Sequence, residues 1–322
     1  MKKQILCVLL ALLISLSGCA PVQSEESGEG QLTIVATTYP VYLFACAVTD
    51  GVEGVTVERL NTGETSCLHD YTLSVDDMKK LERADIIALN GVDLEEFMED
   101  ALASSNAVVI DCSELSEGSL LENMSHDHDE EDHDHSGHDH GHWDPHIWMD
   151  AMHADQMISC IRAALCELDP DHAEIYNDNA GNASNQLGQL DAELTKMFQL
   201  LEERGIEIPG LITFHDGFQY FAWAYGLPLL EAIEEEAGSE ASAHEILEIT
   251  ELIKEYNIPV IFTETNGSDA TAQAIARETG CQVAQLTMVM DGPNDDLNNY
   301  LDGLRSNAKA IVEGFAGEEV VS

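Results

Sequence analysis

Strand-length apolar runs alternate with helical patterns along most of the chain. In the first half the runs are Leu32–Thr37, Val55–Leu60, Asp85–Asn90 and Ala107–Asp111. In the second half they are Leu211–Phe214, Leu227–Leu230, Pro259–Glu264 and Gln282–Leu286. Alternation of this kind predicts an α/β fold, with parallel sheets flanked by helices. Ser74 with Asp77 and Ser242 with Glu245 have capping-box spacing, which phases two of the helix starts. The pattern divides the chain into two similar α/β lobes, residues 32–170 and 205–322. Between them, residues 171–204 contain no proline, and Ile175, Leu187, Leu190, Leu194, Met197, Phe198 and Leu201 fall largely three or four apart. That stretch predicts a single linking helix about 50 Å long, a spine that would limit hinge motion between the lobes. Gly181 and Gly188 weaken it locally.

The first residues follow a different pattern. Met1-Lys2-Lys3, the apolar run Ile5–Leu16 and the small residues before Cys19 have the order of a secretory signal, and the run is shorter than the roughly 20 apolar residues a bilayer needs. A cysteine directly after Leu16-Ser17-Gly18 resembles a bacterial lipobox, which predicts lipidation of Cys19, removal of the signal ahead of it, and attachment to the outer face of the cell membrane. Residues 20–31 (APVQSEESGEGQ) are small, polar and acidic, a flexible tether.

Charge narrows the partners. The 322-residue chain has a formal charge of −48. Loss of Lys2 and Lys3 with the signal would leave 11 Lys and Arg against 61 Asp and Glu, near −50. Such a field disfavours nucleic acid and anionic lipid headgroups as partners and favours cations. Six cysteines beyond Cys19 are scattered singly, without the close spacings of a disulfide scaffold or the CxxC pairs of a structural zinc site, and most read as small buried hydrophobes.

Residues 126–142 (HDHDEEDHDHSGHDHGH) hold seven histidines, His126, His128, His133, His135, His138, His140 and His142, with seven acidic residues. With no apolar residue to drive folding, the segment reads as a disordered loop that binds several ions weakly and exchangeably. A tight site needs ligands on ordered elements. His69, in Cys67-Leu68-His69-Asp70-Tyr71, follows a strand and precedes the Ser74 helix start. His146 lies in Trp143-Asp144-Pro145-His146-Ile147-Trp148, where two tryptophans offer a dry wall. His215 closes the run Leu211–Phe214 and is followed by Asp216. All three sit where ligands collect in α/β folds, at the carboxyl ends of strands. His153, His172 and His244 read as surface residues on helices.

These motifs together resemble the ZnuA-like zinc solute-binding proteins of ABC importers: the lipobox, His69-Asp70-Tyr71 before a helix, the acidic histidine segment, Asp144-Pro145-His146-Ile147-Trp148, and Thr213-Phe214-His215-Asp216 with Tyr220-Phe221 after it. The resemblance runs from residue 32 to the end. It implies a monomer of two α/β lobes joined by a long helix, with Zn2+ between them as cargo. It also implies a membrane permease, with a cytoplasmic ATPase, as the partner. By position the ligands would be His69, His146 and His215, with Asp291 as the fourth. Glu264, Asp216 and Cys67 are secondary candidates. Histidine at position 215 favours zinc, because oxygen donors suit manganese. Some zinc binders of the family have Glu before the first histidine; here that residue is Leu68.

Other functions fit less well. For a zinc hydrolase the sequence would need a motif such as HExxH, and it has neither that nor a Gly-x-Ser-x-Gly elbow. A manganese- or iron-binding relative, or a surface zinc-buffering adhesin without a transport role, shares the same residues.

Overall fold

The computed structural model describes residues 32–61, 68, 71–123, 142–234, 242–265 and 267–317. Cys19, Cys67, His69, Asp70 and His126 to His140 lie outside the described residues, so the readings made of them are not addressed by it.

Two four-stranded parallel sheets with one topology form the fold. The first is built from β1 (Leu32–Ala36), β2 (Val55–Arg59), β3 (Ile86–Leu89) and β4 (Val108–Asp111), in the order β2-β1-β3-β4. The second is built from β5 (Leu211–His215), β6 (Leu229–Glu234), β7 (Val260–Glu264) and β8 (Gln282–Leu286), in the order β6-β5-β7-β8. All the pairings are parallel. In each sheet the strand order reverses between the first and third strands, which opens a crevice at their carboxyl ends.

The helices are α1 (Tyr39–Thr49), α2 (Val75–Arg83), α3 (Glu99–Ser104), α4 (Ala151–Leu168), α5 (Ala173–Glu203), α6 (Gln219–Ala224), α7 (Ala243–Tyr256), α8 (Ala270–Thr279) and α9 (Asn298–Ala316). Both expected capping boxes form: Ser74 with Asp77 opens α2, and Ser242 with Glu245 opens α7. None of the described helices is long and apolar enough to cross a membrane.

The linking helix α5 is 31 residues long, about 46 Å at 1.5 Å per residue. Its buried stripe is Tyr176, Ala180, Ala183, Leu187, Leu190, Leu194, Phe198 and Leu201, at steps of three and four. Ile175, expected on that stripe, is 39% exposed, and Tyr176 takes its place. Gly181 and Gly188 face open space and do not break the helix.

Alternation along the strands divides the core. Ile34 and Ala36 of β1, and Val260 and Phe262 of β7, point into one cluster that includes the α5 stripe, Trp148, Tyr220 and Tyr300. Val35 and Ile87 face a separate cluster in the first lobe, and Ile212, Phe214 and Ile261 face another in the second. The inner faces of both sheets therefore share a continuous apolar core, and residues 32–322 form one compact unit.

One strand begins later than its apolar run suggested. The run Leu227–Leu230 is replaced by β6 at Leu229–Glu234. Pro228 has no N–H to give the ladder, and its carbonyl accepts Leu211 N–H at 2.7 Å, so pairing starts after it. Extension through the acidic residues is supported by Ala232 and Ile233, both buried.

Candidate metal site between the lobes

His215 is the last residue of β5, 2% exposed, at the reversal point of the second sheet. The β5–β7 pairing sets Thr213 against Phe262, which two residues further on brings His215 level with Glu264, the buried last residue of β7. Gly217 leaves room for the ring. A side chain there would meet Met288 Cε at 2.4 Å and His215 Cδ2 at 2.8 Å.

His146 comes from the first lobe, on the turn before the short 3-10 helix Ile147–Met149, and is 4% exposed. Asp144 is 1% exposed, and its Oδ1 accepts from His146 N–H at 2.8 Å and from His146 Nδ1 at 2.7 Å. A carboxylate can only accept, so the Nδ1 proton is fixed there and the Nε2 lone pair is left facing the cleft. His146 Nε2 and His215 Nε2 lie 3.3 Å apart, their rings perpendicular at 90°.

The turn carrying His146 is gripped from both lobes. Asn90, just past β3, donates from Nδ2 to Pro145 O at 2.9 Å. Trp148 Nε1 donates to Met288 O at 2.8 Å, and Tyr300 OH donates to Trp148 O at 2.6 Å. Tyr220 OH donates to Asp144 O at 2.9 Å. Tyr39 OH adds a further bond across the lobes, to Asn294 O at 2.7 Å. Trp148 is buried with its ring edge on His146, the dry wall expected of it. Trp143 is not part of that wall: it is 36% exposed and packs on His142 at the surface.

Beneath this turn is Glu95, 5% exposed, at the carboxyl end of the first sheet. Its carboxylate accepts from Thr37 Oγ1 (2.5 Å), Asn90 N–H (2.7 Å) and Gly91 N–H (3.1 Å). Burial pushes its pKa up to about 7, against the downward pull of those bonds, with Asp111 adding a smaller upward push. Sequence reading missed Glu95, because nothing in Leu94-Glu95-Glu96-Phe97 separates it from its neighbour. It also gave Asp144 and Tyr220 no role of their own, although both stand in the motifs that carried the resemblance.

Of the three expected ligands among the described residues, His146, His215 and Asp291, the structure brings the two histidines together. Asp291 is exposed and sits beside Tyr39, whose ring is stacked under Arg59. Its segment is strained: Val289, β-branched, adopts φ 57°. Asp216 is half-buried beside His215. Among the described residues, no group of three or more His, Cys, Asp or Glu is gathered closely enough to hold a metal. His142 is exposed, and the bridge Glu122–Trp143 joins the two ends of the histidine-rich segment.

His153 is not the surface residue its helix position suggested. It is 3% exposed, with Nδ1 donating to Asp150 Oδ2 at 2.6 Å and Nε2 2.9 Å from Ser119 Oγ, because Asp150 caps α4 and turns the first helical turn inward. His172 is partly exposed beside Asp169, and His244 is on the surface. Among the described cysteines none is in a disulfide. Cys112 and Cys160 are buried, and Cys46, Cys166 and Cys281 are half-buried.

A family model described as "Zinc-uptake complex component A periplasmic" (ZnuA) matches residues 34–314. The chain belongs to the ZnuA family. That family is one of metal-binding solute-binding proteins rather than enzymes. The zinc-binding lipoprotein AdcA of Streptococcus pneumoniae is 27% identical over 97% of this chain and 61% of its own length. This chain thus spans less than two-thirds of that relative. The iron-binding protein YfeA of Yersinia pestis is 30% identical over 77% of this chain and 76% of its own. Among solved structures, the laminin-binding protein Lmb of Streptococcus agalactiae, described as an adhesin with metal-transporting activity, superposes with a TM-score of 0.73. It is 26% identical over 88% of this chain and 99% of its own.

Proposed function

We propose that this ZnuA-family chain is an extracytoplasmic, lipid-anchored protein that takes up zinc between its lobes and passes it to an ABC importer. The observation that carries the reading is the His146–His215 pair, two buried imidazoles from different lobes with Nε2 atoms 3.3 Å apart. Two nitrogens about 2.0–2.1 Å from one tetrahedral zinc lie about 3.3–3.4 Å apart, so the pair is spaced as half of a zinc site. His69 and a carboxylate would complete the ligand set. Asp291 is the expected carboxylate, and Glu264, buried at the end of the strand paired with that of His215, is the alternative. The names of the AdcA relatives support zinc as the cargo, and the similarity to the iron-binding protein YfeA is the reason to test iron beside it. Cys19 would anchor the chain, and residues 126–142 would gather ions weakly ahead of the cleft.

The test is a competitive titration of residues 25–322 and of the His215→Ala variant with zinc, iron and manganese. The expected outcome is one tight zinc equivalent in the parent that manganese does not displace, weakened in the variant by more than the roughly 10- to 100-fold that loss of an outer-shell partner costs, because His215 would itself be a ligand. Deleting residues 126–142 should lower the number of weak sites and leave the tight one. A variant that binds zinc as tightly as the parent would remove the cleft from the proposal and leave the histidine-rich segment as the site.

A further inference from the structure

We infer that Tyr220 is a positioning residue for this site: its hydroxyl ties the second lobe to the residue that aims His146, and so governs how long a bound ion is retained. The inference rests on the reading that His146 and His215 share the ion.

Tyr220 is fully buried on α6, five residues after His215. Its hydroxyl accepts Leu121 N–H at 3.0 Å and donates to Asp144 O at 2.9 Å. Asp144 is also the residue whose carboxylate holds both the backbone N–H and Nδ1 of His146. One residue of the first lobe thus takes a bond from the second lobe on its carbonyl and directs a ligand with its side chain. The restraints from Asn90, Trp148 and Tyr300 act on Pro145 and Trp148, while Asp144 itself is held by Tyr220 from the second lobe and, within its own lobe, by the bond from its N–H to Leu121 O at 2.9 Å.

The phenol is held so that it cannot swing away. The His153 ring packs against it at 5.0 Å and 72°, and His153 is fixed in turn by Asp150 and Ser119. Burial raises the phenol pKa further above its ordinary value, so the hydroxyl remains a donor throughout the physiological range. Without it, the Asp144 carbonyl and Leu121 N–H lose a common partner and the turn gains freedom. Encounter with the ion depends on diffusion and the overall field, whereas retention depends on ligand geometry, so the effect belongs in the dissociation rate.

The experiment loads residues 25–322 with one equivalent of zinc and follows its release to excess chelator. It compares the parent with Tyr220→Phe, Asp144→Asn, the double variant and His215→Ala. Tyr220→Phe keeps the ring against His153 and removes only the hydroxyl. It should release zinc about five- to tenfold faster, the scale of one lost hydrogen bond, with an association rate within about twofold of the parent. Because both residues act through His146, the double variant should release zinc no faster than Asp144→Asn alone. A release rate for Tyr220→Phe within about twofold of the parent, or effects that multiply in the double variant, would overturn the inference and leave the zinc site standing. If His215→Ala retains zinc like the parent, the site itself is misplaced and the inference falls with it.

Discussion

Replacing Glu95 by glutamine should change the pH dependence of stability by a definite amount. Burial holds the carboxyl at about 7, raised from an ordinary 4.5. Between those values the folded chain keeps a proton that the unfolded chain has released. The associated stability is therefore fully present below pH 4.5, declines as pH rises through the folded value, and is gone above it. At 1.36 kcal/mol per unit, the interval corresponds to about 3 kcal/mol. Glutamine does not titrate, so Glu95→Gln removes this dependence. Its amide offers one acceptor where the carboxylate faces three donors, a cost of about 1–3 kcal/mol that does not vary with pH. Relative to the parent, the variant should thus gain about 3 kcal/mol between pH 4.5 and pH 8. For a chain of this size that is roughly 6 °C of relative Tm. Comparing parent and variant at each pH cancels the titration of the other carboxylates. Thermal unfolding of the metal-free protein, by calorimetry or circular dichroism, measures the difference without linkage to bound zinc. If the Tm difference between variant and parent is the same at both pH values, Glu95 is not holding a proton in the folded state and the reasoning fails.

Two further predictions test the packing that brings the lobes together. Trp148→Phe should lower stability by about 1–3 kcal/mol, because the buried Met288 carbonyl loses the indole donor, and denaturant midpoints would record it; an unchanged midpoint would show that water or a neighbour replaces the bond. Gly314→Ala, in the interior of α9, would gain about 1 kcal/mol of helix propensity. Its new methyl would stand 2.7 Å from Val260 Cγ1 on the buried face of β7, so the expected net change is a loss of about 1–2 kcal/mol, and a rise in Tm would show that the helix can move away from the sheet.

Much of the architecture is a local property of the chain. The strand runs, the capping boxes at Ser74 and Ser242 and the proline-free stretch around α5 each depend on residues within a few positions, and they lead to two parallel α/β lobes joined by one helix. Position at strand ends also marked His215, and the turn Asp144–Trp148 marked His146. What the sequence could not settle depends on pairs far apart in the chain. The 3.3 Å separation of His146 and His215 joins residues 69 positions apart through two independently formed sheets. Tyr220 finds Asp144 across 76 positions, and Trp148 finds Met288 across 140. Burial of Glu95 and His153 is likewise decided by what packs over them, since local pattern gives both the signature of an exposed polar residue. Period and capping fix which elements form; the shared apolar core fixes which of their ends face each other, and with that which histidines meet.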